Sequence, residues 1–173
     1  MRAIVTNRLT LEPQQAAHAQ EMFVVLSDPA IYEYENEPPP SLAWLQSRFV
    51  RLESRRSPDG QQQWLNWVIR HSSSGLIGYV QATISPDNQA SLAYVLASAS
   101  WGQGFGFEAV EAILRELVEQ YGIHTFSAVL REENFRSKKL LERLQFQVVS
   151  AELSDLGPIE QGEIVMQREI SRG

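Results

Sequence analysis

The spacing of apolar residues changes period several times along the chain, and each change marks an element. Between 108 and 121, Ala109, Val110, Ile113, Leu114, Leu117, Val118 and Tyr121 fall on one face of a helix, and Gly122 stands where a helix C-cap belongs. Three stretches rich in β-branched and aromatic residues, Gln63–Arg70, Leu76–Ile84 and Ala90–Ala97, read as strands. They are separated by His71-Ser-Ser-Ser-Gly75 and Ser85-Pro86-Asp87-Asn88, which are turn sequences, so the three predict a β-meander. Trp64 and Trp67 fall on opposite faces of the first of these strands, so at least one of them belongs in the core.

The remaining elements follow in the same way. Residues 3–11 predict an opening strand. Glu12-Pro13 predicts the start of a helix reaching about Leu26, with Pro13 in its first turn and Ala16, Ala19, Phe23 and Leu26 as its buried stripe. Ser41 can cap a second helix over roughly 42–56, whose core face is Leu42, Leu45, Phe49 and Leu52 and whose solvated side carries Arg48, Arg51, Arg55 and Arg56. After the long helix, Thr125–Leu130 is a short strand. Asn134 is an N-cap for a helix over 135–144, and Phe146–Leu153 and Glu163–Ile170 are two final strands joined by a loop with Gly157-Pro158. The order β, α, α, β, β, β, α, β, α, β, β predicts a mixed α/β (α+β) fold.

Composition narrows the class. A chain of 173 residues with 43% hydrophobic content predicts a single domain, 1–173, with a substantial core. No run of apolar residues is long enough for a membrane span, and the N-terminal stretch lacks a secretory apolar region. Zero cysteines exclude disulfides, a thiolate nucleophile and a Cys-based metal site, and the three histidines at 18, 71 and 124 are widely separated, so no metal is expected. A cytoplasmic location is the expectation. The formal charge of −6 disfavours nucleic acid as a partner and suits a cationic one. Four acids, Asp28, Glu33, Glu35 and Glu37, are interleaved with Tyr32 and Tyr34 ahead of a three-proline run. This segment reads either as a solvated connection or as a cation-attracting wall of a substrate cleft. Nothing in the sequence sets the oligomeric state.

The candidate chemistry lies at residues 101–109, Trp-Gly-Gln-Gly-Phe-Gly-Phe-Glu-Ala, between a strand and a helix. A glycine-rich turn that feeds a helix N-terminus brings unpaired N–H groups and a positive dipole end close to an anion, although the same glycines could simply make a compact turn. The dinucleotide pattern G-x-G-x-x-G is not met, because Ala109 follows Gly106 at the third position, and there is no G-x-x-x-x-G-K-[ST]. The stretch resembles the phosphate loop of the Gcn5-related N-acetyltransferases (GNAT), R/Q-x-x-G-x-G/A. It is most similar to the RimJ/RimL branch, which acetylates ribosomal-protein N-termini and commonly carries Trp-Gly-x-Gly-x-Ala/Gly-x-Glu-Ala. Thr6-Asn7-Arg8-Leu9-Thr10-Leu11 resembles the T-x-R-L-x-L segment that opens this branch. Asn134, Ser137, Leu140 and Phe146 match the family's N-x-x-A/S-x-x-L-Y/L-x-x-x-G-F. Leu141 stands where many members have a thiolate-protonating tyrosine, and Gln145 replaces the usual glycine.

The resemblance implies the GNAT fold: a central mixed, mostly antiparallel sheet of about seven strands flanked by four helices. It also implies an acetyl-CoA-dependent N-acetyltransferase that passes the acetyl group directly to a primary amine. Gln103, Gly104, Phe105, Gly106 and Phe107 would supply N–H groups to the pyrophosphate. Backbone groups of Val95 and Ala97, on a strand that splays from Thr125–Leu130, would pair with the pantetheine, and Asn134 would also reach it. Arg136, Lys138 or Lys139 would face the 3′-phosphate. Ser137 is the nearest motif residue able to donate to the leaving thiolate, and Glu33, Glu35 and Glu37 would line the acceptor side. Relatives often carry a glutamate base two or three residues before the Tyr94 position, where this chain has Ser91-Leu92-Ala93. An α-amine, with pKa near ~8, needs less help from a base than a lysine near ~10.4. A protein N-terminus is therefore the first expected acceptor. A small amine (polyamine, amino acid or aminoglycoside) is the alternative, and an acyl-CoA-binding protein with weak turnover is a third reading.

Overall fold

A computed structural model describes residues 1–34, 37–150 and 158–171. One eight-stranded sheet runs through it in the order β1-β2-β3-β4-β5-β6-β8-β7. The strands are β1 (Ile4–Val5), β2 (Leu9–Pro13), β3 (Gln63–His71), β4 (Gly75–Ile84), β5 (Gln89–Leu96), β6 (Thr125–Arg131), β7 (Gln147–Val149) and β8 (Glu163–Glu169). The helices are α1 (Ala19–Val25), α2 (Leu42–Leu52), α3 (Phe105–Tyr121) and α4 (Phe135–Arg143). All strand pairs are antiparallel except β5 with β6.

The two faces of the sheet carry separate apolar layers, as strand alternation requires. Leu65, Trp67, Ile69, Val80, Leu92 and Phe126 pack with Ala109, Ile113 and Leu117 of α3 and Leu141 of α4. Val68 and Leu76 point the other way, to Ala19 and Met22 of α1 and Leu45 and Phe49 of α2. Trp67 is fully buried, and Trp64 on the opposite face is half-buried.

Several boundaries move from the sequence expectation, each for a local reason. The opening strand is two short strands, β1 and β2, and this brings the count to eight. They are joined by a turn in which the Thr6 N–H donates to Leu9 O at 2.9 Å. Glu12 and Pro13 do not begin a helix. They continue β2, whose register against β3 runs from Leu9↔His71 to Pro13↔Trp67. A 3-10 turn at Ala16–His18 intervenes before α1. Helix α2 stops at Leu52, and Arg55 just beyond has φ of 56°, outside helical space. Helix α3 begins at Phe105, three residues early, because Gly104 takes a left-handed φ of 81° and turns the chain straight into it. Of the expected strand Phe146–Leu153, the described part is Gln147–Val149; residues 151–153 and Gly157 lie outside the described residues.

Helix α4 ends in a Schellman arrangement. The Gln145 N–H donates to Glu142 O at 2.9 Å and the Phe146 N–H to Leu141 O at 3.0 Å, while Gln145 itself sits at φ of 65°. The turn therefore keeps the left-handed geometry that suits glycine but holds a glutamine in it. A left-handed L-residue costs about 1–2 kcal/mol, partly offset in a glycine variant by the extra freedom of its unfolded chain. Gln145→Gly should stabilise the protein by about 1 kcal/mol. The urea unfolding midpoint should rise with an unchanged slope; an unchanged or lower midpoint would refute the strain assigned to this turn.

Candidate functional site

The site forms where β5 and β6 part. They pair in parallel at three positions, Gln89↔Thr125, Ala90↔Phe126 and Ser91↔Ser127. Beyond these, β5 follows β4 as far as Leu96 and β6 follows β8 as far as Arg131, so a wedge opens between them. The Ala97 N–H donates to Ile77 O at 2.8 Å, toward β4. Alternation then turns the backbone groups of Val95 toward β4 as well, and those of Tyr94 and Leu96 toward the wedge. The register thus commits the backbone groups of Val95 and Ala97, the ones expected at the cleft, to the sheet. The Leu96 carbonyl accepts from Trp101 Nε1 at 2.9 Å, which fastens the end of β5 to the glycine loop.

The three loop glycines do different work. Gly102 has φ of 73° with open space around it. Gly104, at φ of 81°, caps α3, and a Cβ there would meet Arg8 Nη2 at 3.3 Å. Gly106 lies inside α3, where a Cβ would come within 2.8 Å of Leu140 Cδ1 on α4, so its smallness leaves room for the Leu140 side chain. The helical ladder starts with the Glu108 N–H donating to Gly104 O at 3.1 Å, which leaves the N–H groups of Phe105, Gly106 and Phe107 ahead of it.

A clamp from the opening hairpin holds this loop. The Glu108 carboxylate accepts from Thr6 Oγ1 at 2.6 Å, from the Arg8 N–H at 2.9 Å and from Arg8 Nε at 2.7 Å. Arg8 Nη1 donates to Gln103 O at 2.8 Å, and the guanidinium lies 4.6 Å from the Phe105 ring centre. Burial opposes ionisation of Glu108, but the bonds from Thr6 and Arg8 outweigh it and hold the carboxyl below its ordinary value.

Two cavities meet at the mouth of the wedge. The first, about 400 Å³, is lined by Tyr94, Val95, Trp101, the glycine loop, Asn134 and Ser137, with Arg136, Lys139 and Arg143 as its cations. Arg136 stacks 3.4 Å from the Trp101 ring centre. The second, about 230 Å³, is lined by Tyr32, Glu37, Trp44, Arg48 and Tyr79 among others. Ile31 and Val95 border both. Ile31 is held there by Asp28, which caps the 3-10 turn Pro29–Tyr32 through the Ala30 N–H and accepts from the Ser98 N–H at 2.7 Å. The bonds from Ser98 and Ala30 keep the Asp28 carboxyl below its ordinary value. Tyr32 donates to Leu26 O at 2.6 Å, and burial pushes its phenol up to about 12, so it stays protonated and is no base.

Of the residues expected at the site, Gly104, Phe105, Gly106, Phe107, Val95, Asn134 and Ser137 line the first cavity, whereas Ala97, Gln103 and Lys138 do not. Gln103 instead bonds Ala99 O through its side chain and Arg8 through its carbonyl. Asn134 Oδ1 accepts from the Ser137 N–H at 3.1 Å, so the cap occupies its oxygen. Glu37 reaches the second cavity; Glu33 is exposed outside it, and Glu35 lies outside the described residues. Arg48, expected in solvent, is exposed but also borders that cavity, 5.5 Å from the Trp44 ring centre. Sequence reading passed over Ile31 and Tyr94. A hydroxyl at Tyr94, alternating with Leu92 and Leu96 just before the glycine loop, was the available signal.

Because Glu108 is held below its ordinary value of 4.5, its contribution to stability is present above that pH and is lost as pH falls through the folded-state value. Glu108→Gln should therefore lower stability at neutral pH and flatten its acid dependence, measured by urea unfolding across the acid limb. An acid limb identical to wild type would show that the clamp does not couple to folding.

Comparison with known proteins agrees with this geometry. A family model described as an acetyltransferase (GNAT) domain matches residues 8–147. The uncharacterized N-acetyltransferase p20 of Bacillus licheniformis is 27% identical over 150 residues, covering 85% of this chain and 83% of that protein. The ribosomal L7/L12 α-N-protein acetyltransferase RimL, solved in complex with coenzyme A, superposes with a TM-score of 0.79 at 17% identity, over 97% of this chain and 98% of that one. The ribosomal-protein-S5-alanine acetyltransferase from Vibrio fischeri gives 0.80 at 15% identity, over 96% of each chain. Among the described residues no group of His, Cys, Asp or Glu could hold a metal ion, and no helix is long and apolar enough to cross a membrane. With its phosphate-loop motif, its parted strands and a family match over most of its length, this chain belongs to the GNAT acetyltransferase family and is an enzyme of that type.

Proposed function

We propose that the whole chain forms one cytoplasmic acetyltransferase domain that moves the acetyl group of acetyl-CoA to the α-amine of a protein N-terminus. The observation that carries this reading is the pair of cavities meeting at Ile31 and Val95. One is bounded by a helix N-terminus and cations, as a phosphate-bearing co-substrate needs. The other is bounded by aromatic rings, with the Glu37 carboxylate for an amine and the Arg48 guanidinium for peptide carbonyls, as a polypeptide end needs. Acetyl-CoA supplies a thioester carbonyl that a neutral amine can attack.

The chain's own groups divide the work. The N–H groups of Phe105, Gly106 and Phe107 face the pyrophosphate, and Arg136, Lys139 and Arg143 face the remaining phosphate. Backbone groups of Tyr94 and Leu96 pair with the pantetheine amides. Ser137 Oγ gives a proton to the departing sulfur. Glu37 draws the protonated amine in and accepts its proton; an α-amine near ~8 is already partly neutral, so this base need not be strong. The likeness to two ribosomal-protein acetyltransferases supports this acceptor over a small amine.

Three outcomes test the reading. Short peptides with free N-termini should be acetylated faster than polyamines, free amino acids or aminoglycosides, read by thiol release; the reverse order would replace the acceptor. Glu37→Gln should raise the acceptor KM several-fold and weaken its salt dependence. Acceptor kinetics unchanged in that variant would leave Glu37 as solvated surface. Gly104→Val places a β-branched residue at φ of 81° against Arg8 and should distort the loop. CoA affinity should fall roughly 100-fold, about 2.7 kcal/mol, with the far-ultraviolet spectrum unchanged. A folded variant binding CoA like wild type would sink the phosphate-loop role.

A further inference from the structure

The position that carries a proton-donating tyrosine in many relatives is Leu141 here, and Leu141 is 1% exposed within the core. It has no proton to give. A different phenol reaches the same cavity from the sheet. Tyr94 lies on β5 between Leu92 and Leu96, partly buried against the α3 side of the core. Its hydroxyl is 2.7 Å from Ser137 Oγ and 3.4 Å from the Ser137 carbonyl oxygen. Both residues line the first cavity beside Val95, where it joins the second.

We propose that Tyr94 is the proton source for the leaving sulfur and delivers that proton through Ser137 Oγ. This rests on the reading of Ser137 as the donor to sulfur. An aliphatic hydroxyl is a far weaker acid than a thiol near ~8.5, so Ser137 cannot give up its proton unless another is handed to it at the same time. A phenol, near ~10 in water, is matched to that task.

The step balances as follows. The lone pair of the amine nitrogen forms the C–N bond, the C–S bond breaks, and its electron pair goes to sulfur. Sulfur takes the Ser137 hydroxyl proton while Ser137 Oγ takes the proton of Tyr94. The acceptor nitrogen loses its own proton to Glu37 or water, and the Tyr94 oxygen regains one from solvent. The products are one amide and one thiol, with no net change in protons. The geometry is held from both sides: Asn134 Oδ1 fixes the first turn of α4, which carries Ser137, and β4 fixes β5, which carries Tyr94. The charged groups of the cavity are Arg136, Lys139 and Arg143, all on α4, with Arg136 lying over the Trp101 ring and Arg143 over the Phe107 ring; α3 and β5 add none to the lining, and Glu37 and Arg48 border the adjoining cavity.

The test compares Tyr94→Phe, Ser137→Ala and the double variant in single turnovers and in CoA titrations. Tyr94→Phe keeps the ring and should leave CoA Kd within about twofold while slowing turnover about 10- to 100-fold. The double variant should be no slower than Ser137→Ala, because the two act in series. The wild-type rate should fall on the alkaline side as the phenol loses its proton, and that limb should vanish in Tyr94→Phe. Independently of turnover, the ultraviolet thiolate absorbance of bound CoA should appear at higher pH in Tyr94→Phe than in wild type. A Tyr94→Phe enzyme with the wild-type rate and pH profile beside a slow Ser137→Ala would overturn the relay and leave the Ser137 reading standing. Full activity in Ser137→Ala would overturn that reading and the relay together. Equal losses of affinity and rate in Tyr94→Phe, with the alkaline limb intact, would reduce Tyr94 to packing.

Discussion

The parallel contact between β5 and β6 lasts for three residue pairs, and the whole site depends on where it stops. Each strand keeps its antiparallel partner along its length, β5 with β4 and β6 with β8, so neither is lost from the sheet when they separate. Backbone groups that would have closed the ladder instead face an opening, and buried groups of this kind require a partner. The chain meets part of that demand itself, through Trp101 Nε1 on the Leu96 carbonyl. The glycine loop, α3 and α4 are arranged around the open end, so the leading residues of α3 and the hydroxyl-bearing residues Tyr94 and Ser137 share one cavity.

A second constraint keeps the loop in place. Thr6 and Arg8, from the first hairpin, converge on Glu108 one turn into α3, and Arg8 also holds the Gln103 carbonyl. A single partly exposed ion pair contributes little to stability. Here the carboxylate accepts several charge-assisted bonds, and their directionality matters more than their sum. They tie the opening segment to the phosphate loop about 100 residues later, which is why two motifs so far apart in the chain read as parts of one device. The second cavity is tied on in the same manner, by Asp28 reaching Ser98 at the exit of β5 and setting Ile31 beside Val95.

The helices were legible because their signals are local. The apolar stripe of α3, the left-handed Gly122 behind it, and the caps Ser41 and Asn134 each act within a few residues and are seen in the structure. Pro13 misled because it is acceptable in a first helical turn, yet the pairing of β2 with β3 captured it. The three glycines looked alike in sequence. Only the fold distinguishes a left-handed cap at Gly104 from a helix-to-helix contact at Gly106. Tyr94 was hidden for the same reason. Its partner is 43 residues away, and no periodicity encodes a contact between a strand and the first turn of a later helix. The register that turns Ala97 away from the wedge is likewise a property of the assembled sheet.

A crystal structure of the protein with CoA tests most directly the claim that the parting of β5 from β6 makes the co-substrate cleft. The pyrophosphate oxygens should lie about 3 Å from the N–H groups of Phe105, Gly106 and Phe107. The pantetheine amides should pair with backbone groups of Tyr94 and Leu96, and the sulfur should rest beside Ser137 Oγ near Ile31 and Val95. CoA bound away from the wedge, or seated there with its pyrophosphate held by side chains and the loop N–H groups unused, would contradict the account.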